Sequence, residues 1–97
     1  MEKVEVWAHR GAFGYAPENT MEAFKLAIEM GADGIELDVQ LTKDNEIVII
    51  HDEMLQRVSN GTGYVKDYTL EELKALNFNK THLEYEKVEI PTLQEVL

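Results

Sequence analysis

The stretch Gly34–Asp52, GIELDVQLTKDNEIVIIHD, constrains this chain more than any other. Glu36 and Asp38 stand two apart in a run of β-forming residues. On a strand that spacing puts both carboxylates on one face. The apolar run Ile47-Val48-Ile49-Ile50 follows and ends in His51-Asp52. An earlier run, residues 4–8, ends in His9-Arg10. Three candidate strands thus close on His-Arg, Glu-x-Asp and His-Asp. Charge on a buried strand is expensive unless it is paired or binds a metal. In parallel α/β folds, chemistry collects at the carboxyl ends of strands. The pattern predicts an α/β fold with a site at such ends.

The flanking sequence supplies the other elements. Val4 to Ala8 reads as the first strand, and GAFGYAP, residues 11–17, as a loop that packs over something. Asn19 is the expected N-cap of a helix, with Glu22 in capping-box position. Ala23, Phe24, Ala27, Ile28 and Met30 form its apolar stripe, and Gly31 suits its C-terminal stop. Ile35 to Leu41 alternates as a second strand, and Ile47 to Ile50 is a third. Only thirteen positions separate Asp38 from His51, too few for a crossover helix. Two connections remain open: an extended return to the same rim, or a plain β-hairpin with opposed strands. A polar excursion runs to Tyr68, with a turn cluster at Ser59 to Gly63. Thr69 and Glu72 form a capping box that opens a helix to about Leu76. Residues 78–89 are weakly patterned. Pro91, Thr92 and Glu95 mark another helix start, two residues before Leu97.

Composition excludes several classes. With 19 acidic against 9 basic residues, the net charge is −10, which disfavours nucleic-acid and anionic-membrane surfaces. An anionic small substrate stays open, because one Arg and a metal can reverse the field locally. Cys is absent, so disulfides, thiol nucleophiles and zinc–thiolate sites are ruled out. No apolar run approaches the ~20 residues of a membrane span, and no signal peptide is visible. The default is a soluble, cytoplasmic protein. The N-x-T sequons at Asn60 and Asn79 carry no meaning in that compartment.

Each candidate site residue has a functional and a plain structural role. Glu36 and Asp38 suit a hard divalent cation, Mg²⁺ or Ca²⁺, with Mn²⁺ also compatible. Otherwise they are solvent-facing acids of an amphipathic strand. His9 and His51, each at a strand end, suit a general acid–base pair. A lone histidine there is more often a cap or core residue. Arg10 matches phosphate oxygens with its planar fork, or pairs with Glu36, Asp38 or Glu18. Asp52 is read as orienting His51 or a neighbouring loop. Trp7 and Phe24 read as core and His82 as surface. Phe13 and Tyr15 either wall a cleft or pack the loop.

HRG at 9–11, PENT at 17–20, GADGIELDVQLTKD at 31–44 and HD at 51–52 together resemble the N-terminal part of a glycerophosphodiester phosphodiesterase. The resemblance covers roughly residues 4–96. It implies an α/β partial TIM (β/α) barrel of the phospholipase-C-like phosphodiesterase type, the first three strands with their helices. Residues 1–97 would form the N-terminal portion of that barrel domain, since whole barrels take about 250 residues. The resemblance implies metal-dependent hydrolysis of glycerophosphodiesters to sn-glycerol 3-phosphate and an alcohol. The glycerol 2-hydroxyl would attack phosphorus to give a cyclic phosphate, hydrolysed in a second step. It also implies His9 and His51 as the acid–base pair, Arg10 on the phosphate, and Glu36 and Asp38 as metal ligands. A third ligand, a Glu, and a basic residue near it are expected beyond Leu97. Glu18, Asn19 and Asp52 take supporting roles.

Two other readings compete. A phospholipase of the same superfamily is disfavoured by the lack of a basic or apolar membrane-facing segment. A non-catalytic barrel piece would self-associate or need a partner over its open sheet edges. The exposed edge and the short last helix lead to an expectation that the chain oligomerises. Light scattering across a wide concentration range checks this, and a monomeric mass throughout would contradict it.

Overall fold

Among the described residues, four short strands and three helices form, in an arrangement that corrects part of the sequence reading. A computed structural model describes residues 14–97 in full and the backbone of Trp7–His9. In order the elements are β1 (Trp7–His9), α1 (Met21–Glu29), β2 (Gly34–Glu36), β3 (Val39–Leu41) and β4 (Ile47–Ile49). A single 3-10 turn (Val65–Asp67), α2 (Leu70–Lys74) and α3 (Leu93–Val96) follow. The expected residues 4–6 of the first strand lie outside the described residues, as do Arg10 and the loop to Phe13.

Strands β1 and β2 pair in parallel across α1, as a βαβ unit requires, with Trp7 opposite Gly34 and His9 opposite Glu36. The expected single strand 35–41 breaks at Leu37-Asp38. Beyond the break, β3 pairs antiparallel with β4, with Val39 opposite Ile49 and Leu41 opposite Ile47. The connection is therefore the hairpin, one of the two that the sequence leaves open. Thr42 makes the turn. Its N–H donates to the Glu46 carbonyl at 2.9 Å, and its hydroxyl accepts from the Glu46 N–H at 2.9 Å. Asn45 takes φ +63°, a left-handed conformation that Asn tolerates better than most residues. The expected inward alternation also fails, since Val39, Leu41 and Ile47 are exposed.

Helix α1 starts one residue later than expected. Thr20, not Asn19, is its N-cap, accepting from the Ala23 N–H at 3.2 Å and donating to the Pro17 carbonyl at 2.6 Å. Asn19 instead takes φ +53°, which removes it from the cap position. The helix ends in a Schellman motif: the Gly31 N–H donates to Ile28 and the Ala32 N–H to Ala27, with Gly31 at φ +85°. Ala23, Phe24 and Ala27 are buried as expected, whereas Ile28 and Met30 are exposed. Both later capping boxes form, Thr69 with Glu72 and Thr92 with Glu95.

A buried core lies under the excursion after β4. Val48, Ile50, Leu55, Val58, Val65, Leu73, Phe78, Val88 and Ile90 form one buried cluster. Asn77 pins its weakly patterned part. Its side chain donates to the Glu86 carbonyl and accepts from the Val88 N–H, both at 2.9 Å. Backbone polar groups are thereby satisfied where no regular strand exists. Pro91 ties this layer to the hairpin by accepting from the Ile49 N–H at 2.9 Å. Among the described residues no helix is long and apolar enough to cross a membrane. Leu55 is fully buried, so Leu55→Ala is expected to cost about 2–5 kcal/mol, measured by urea unfolding. A loss below ~0.5 kcal/mol would contradict this assignment of the core.

Candidate active site

The hairpin register decides what meets here. Past the last β3–β4 rung, the Ile50 N–H donates to the Asp38 carbonyl at 3.0 Å. His51 is therefore delivered beside the Leu37-Asp38 break. The Gln40 side chain holds that end by donating to the His51 carbonyl at 3.3 Å. Across the parallel ladder, the backbone of His9 stands opposite Glu36. The backbone thus gathers Glu36, Asp38, His9 and His51 by two different pairings. The side chain of His9 and all of Arg10 lie outside what the structure describes.

The loop before α1 closes the site from another side. Glu18 and Asn19 follow the buried Pro17, and Asn19 is 2% exposed. Asn19 Nδ2 donates to Asp38 Oδ2 at 3.1 Å. Its Oδ1 is buried and has no hydrogen-bond partner among the described residues, a cost of about 1–3 kcal/mol that a bound group or water would relieve. The sequence reading gave Asn19 a capping task; its side chain instead reaches the proposed metal carboxylate.

Glu18, Asp52 and His51 are joined by a residue that sequence reasoning missed, Arg57. Its Nη1 and Nη2 donate to the two Glu18 oxygens at 2.7 and 2.8 Å. Its Nε and Nη2 donate to the two Asp52 oxygens at 2.9 and 3.0 Å. Asp52 Oδ1 lies 2.8 Å from His51 Nδ1. The Glu18 side chain is only 7% exposed, so its charge needs such a partner. One signal pointed to Arg57. The sequence holds two arginines, and this one follows the His-Asp pair by five residues.

Electrostatics fix the proton on the histidine. Hydrogen bonding to Arg57 is the main cause holding the Asp52 carboxyl below its ordinary value, at about 2; His51 adds to this and burial opposes it. The same bonds raise Arg57 above its ordinary value, Glu18 first and Asp52 second. An ionised Asp52 can only accept, so His51 Nδ1 carries the hydrogen. Nε2 then presents its lone pair, and the ring is 45% exposed.

A cation finds a partial donor set. Glu36 and Asp38 offer carboxylate oxygens, which suit hard divalent ions. Among the described residues no group of three or more His, Asp or Glu could hold a metal. A narrow crevice behind His51, bounded by Pro17, Glu18, Asn19, Ile50 and Pro91, has room for about one water. A wider groove lies elsewhere, between Ile47, Leu70, Lys74 and Leu93. His82, expected at the surface, is half-buried, with Nδ1 3.0 Å from the Thr81 hydroxyl.

Comparison with known proteins decides the family. The model of the glycerophosphoryl diester phosphodiesterase family matches residues 9–97. The chain belongs to that family. A glycerophosphodiester phosphodiesterase of Caldanaerobacter subterraneus is 57% identical over 97% of this chain and 39% of its own length. The crystal structure of a glycerophosphodiester phosphodiesterase from Agrobacterium tumefaciens superposes with a TM-score of 0.94 at 38% identity. It is covered over 42% of its length, against 98% of this chain. An Oleispira antarctica phosphodiesterase, solved with the product sn-glycerol-3-phosphate, gives a TM-score of 0.90 at 42% identity. That match covers 95% of this chain and 38% of the other. The chain thus spans about two fifths of the length of these relatives. These neighbours bear out the expected α/β partial barrel.

Asp52 gives a signed pH dependence. Its folded pKa is lowered, so its stabilising contribution is complete above about pH 4 and is lost as the pH falls through about 2. An Asp52→Asn chain is expected to lose stability less steeply than its parent over that window, by urea unfolding at successive pH values. Equal slopes would contradict the coupling.

Proposed function

We propose that this chain carries catalytic groups of a glycerophosphodiester phosphodiesterase, which hydrolyses its substrate to sn-glycerol 3-phosphate and an alcohol. The observation that carries this reading is the His51–Asp52 contact of 2.8 Å, made beside Asp38 in a chain of this family. Phosphodiester cleavage needs a base for the attacking hydroxyl and an acid for the departing alkoxide. His51 Nε2, with Nδ1–H committed to Asp52, is suited to take or give that proton. His9 is its proposed counterpart, supported by its backbone place opposite Glu36.

Arg10 is proposed to bind the phosphate, because its fork matches two phosphate oxygens and Arg57 is already engaged. Glu36 and Asp38 would hold Mg²⁺, Ca²⁺ or Mn²⁺, with remaining positions filled by water or groups outside the described residues. When bound, the cation neutralises phosphate charge and lowers the pKa of a coordinated hydroxyl. Asn19 holds Asp38 by its amide, and Glu18 and Asp52 hold the histidine side. The product seen with the Oleispira antarctica relative supports a glycerophosphodiester substrate for this site.

A second reading has its own support. Val39, Leu41 and Ile47 leave an exposed apolar hairpin face, which suits a piece that works against a second copy or a partner chain. Release of glycerol 3-phosphate from glycerophosphocholine tests both, with Mg²⁺ or Ca²⁺ and with EDTA, at several chain concentrations. Metal-dependent turnover is expected, and a steeper than linear rise with concentration would favour assembly from several copies. His9→Ala and His51→Ala are each expected to lower turnover by a factor of about 10² or more without unfolding the chain. Activity surviving either change would remove that histidine from the mechanism.

A further inference from the structure

Arg57 uses nearly all of its hydrogen-bonding capacity inside the protein. A guanidinium has five N–H donors. Four of its bonds go to carboxylate oxygens, two to Glu18 and two to Asp52. With two carboxylates around one cation, the local charge is negative, so Arg57 has neither the donors nor the field to bind a phosphate. Its geometry suits another task. The pair of oxygens on Asp52 is gripped in one plane, and one of those oxygens also faces His51 Nδ1.

The bridge is anchored at both ends. Leu55 and Val58, on either side of Arg57, are buried in the core. Ser59 turns the segment by donating from N and Oγ to the Leu55 carbonyl, at 3.0 and 2.8 Å. At the other end, Glu18 lies between the buried Pro17 and Asn19, ahead of the Thr20 cap. A fork held between two fixed carboxylates has little freedom to turn. An aspartate without that fork would swing about its side-chain bonds while still charged.

We propose that Arg57 is a positioning residue: it fixes the Asp52 carboxylate against the loop at Glu18, and so holds His51 in the Nδ1–H tautomer with Nε2 available for proton transfer. This rests on the reading of His51 as an acid–base group. The positioning itself concerns the ring alone and is read independently of turnover.

The test is ¹⁵N-edited NMR of the histidine rings in the full 97-residue chain, with the pH raised until the ring signals no longer change. Arg57→Gln and Arg57→Lys are compared with the parent, and His51→Gln assigns the signal. The parent is expected to show His51 with Nδ1 protonated. Both Arg57 variants are expected to shift toward the mixture of a histidine free in water, which favours the Nε2–H form. Lys keeps the charge but not the fork, so a parental ring signal in Arg57→Lys would overturn the proposal, as would an Nε2–H parent. Should loss of the partner unfold the chain by stranding Glu18, the Glu18→Gln/Arg57→Gln chain removes that charge and gives the same reading. Turnover of glycerophosphocholine separates the two levels. A fall in kcat of on the order of 10-fold to 100-fold with little change in KM is expected for Arg57→Gln. Loss of activity in His51→Ala with a parental tautomer in both Arg57 variants overturns the positioning role alone. Full activity in His51→Ala overturns the acid–base reading alone, and the ring signal still decides whether Arg57 positions His51.

Discussion

The 3.0 Å bond from the Ile50 N–H to the Asp38 carbonyl fixes how this molecule brings its chemistry together. It continues the β3–β4 ladder past its last regular rung and sets the register at which the chain returns. A slip of one residue would turn His51 to the opposite face of the hairpin. The turn at Thr42 to Glu46 makes this register stable, since Thr42 is 4% exposed and hydrogen-bonded by both N–H and hydroxyl. Asp44 extends the hold by accepting from the Leu70 N–H at 3.1 Å, joining the turn to the start of α2. One hairpin thus places a histidine by a carboxylate and ties both to the core beneath.

Around that register the carboxylates are kept apart and occupied. Asp38 takes a hydrogen bond from Asn19, and Asp52 and Glu18 share Arg57. The partition gives the acids different partners: Asp38 meets the Asn19 amide, and Asp52 meets Arg57 and His51. The two-residue segment Glu18-Asn19 reaches both. Asn19 adopts φ +53° to do this, so local backbone strain is carried where the two halves of the site join.

Much of this was legible in the sequence. The two later capping boxes and the βαβ start follow from local chemistry, which a single sequence carries. Where the reading failed, tertiary contacts outweighed local pattern. Period-2 alternation over 35–41 suggested one strand, yet the chain changes partner at Leu37-Asp38, from β1 to β4. Asn19 and Thr20 are both good caps, and the structure uses Thr20 while the Asn19 side chain reaches Asp38. Arg57 sits in a polar stretch without periodicity, and its partner Glu18 is 39 residues away. Contacts of that separation leave no trace in local composition. The core residues Phe78 and Val88 were hidden likewise, because an Asn77 side chain rather than a strand ladder organises them.

The most direct measurement is a double-mutant cycle between Glu18 and Arg57, using Glu18→Gln and Arg57→Gln and reading stability by urea unfolding. A guanidinium that joins the loop before α1 to the His51–Asp52 segment should give a coupling of about 1 kcal/mol or more. Single changes that add to within about 0.3–0.5 kcal/mol would mean that the two groups do not act together, and that this bridge does not hold the site.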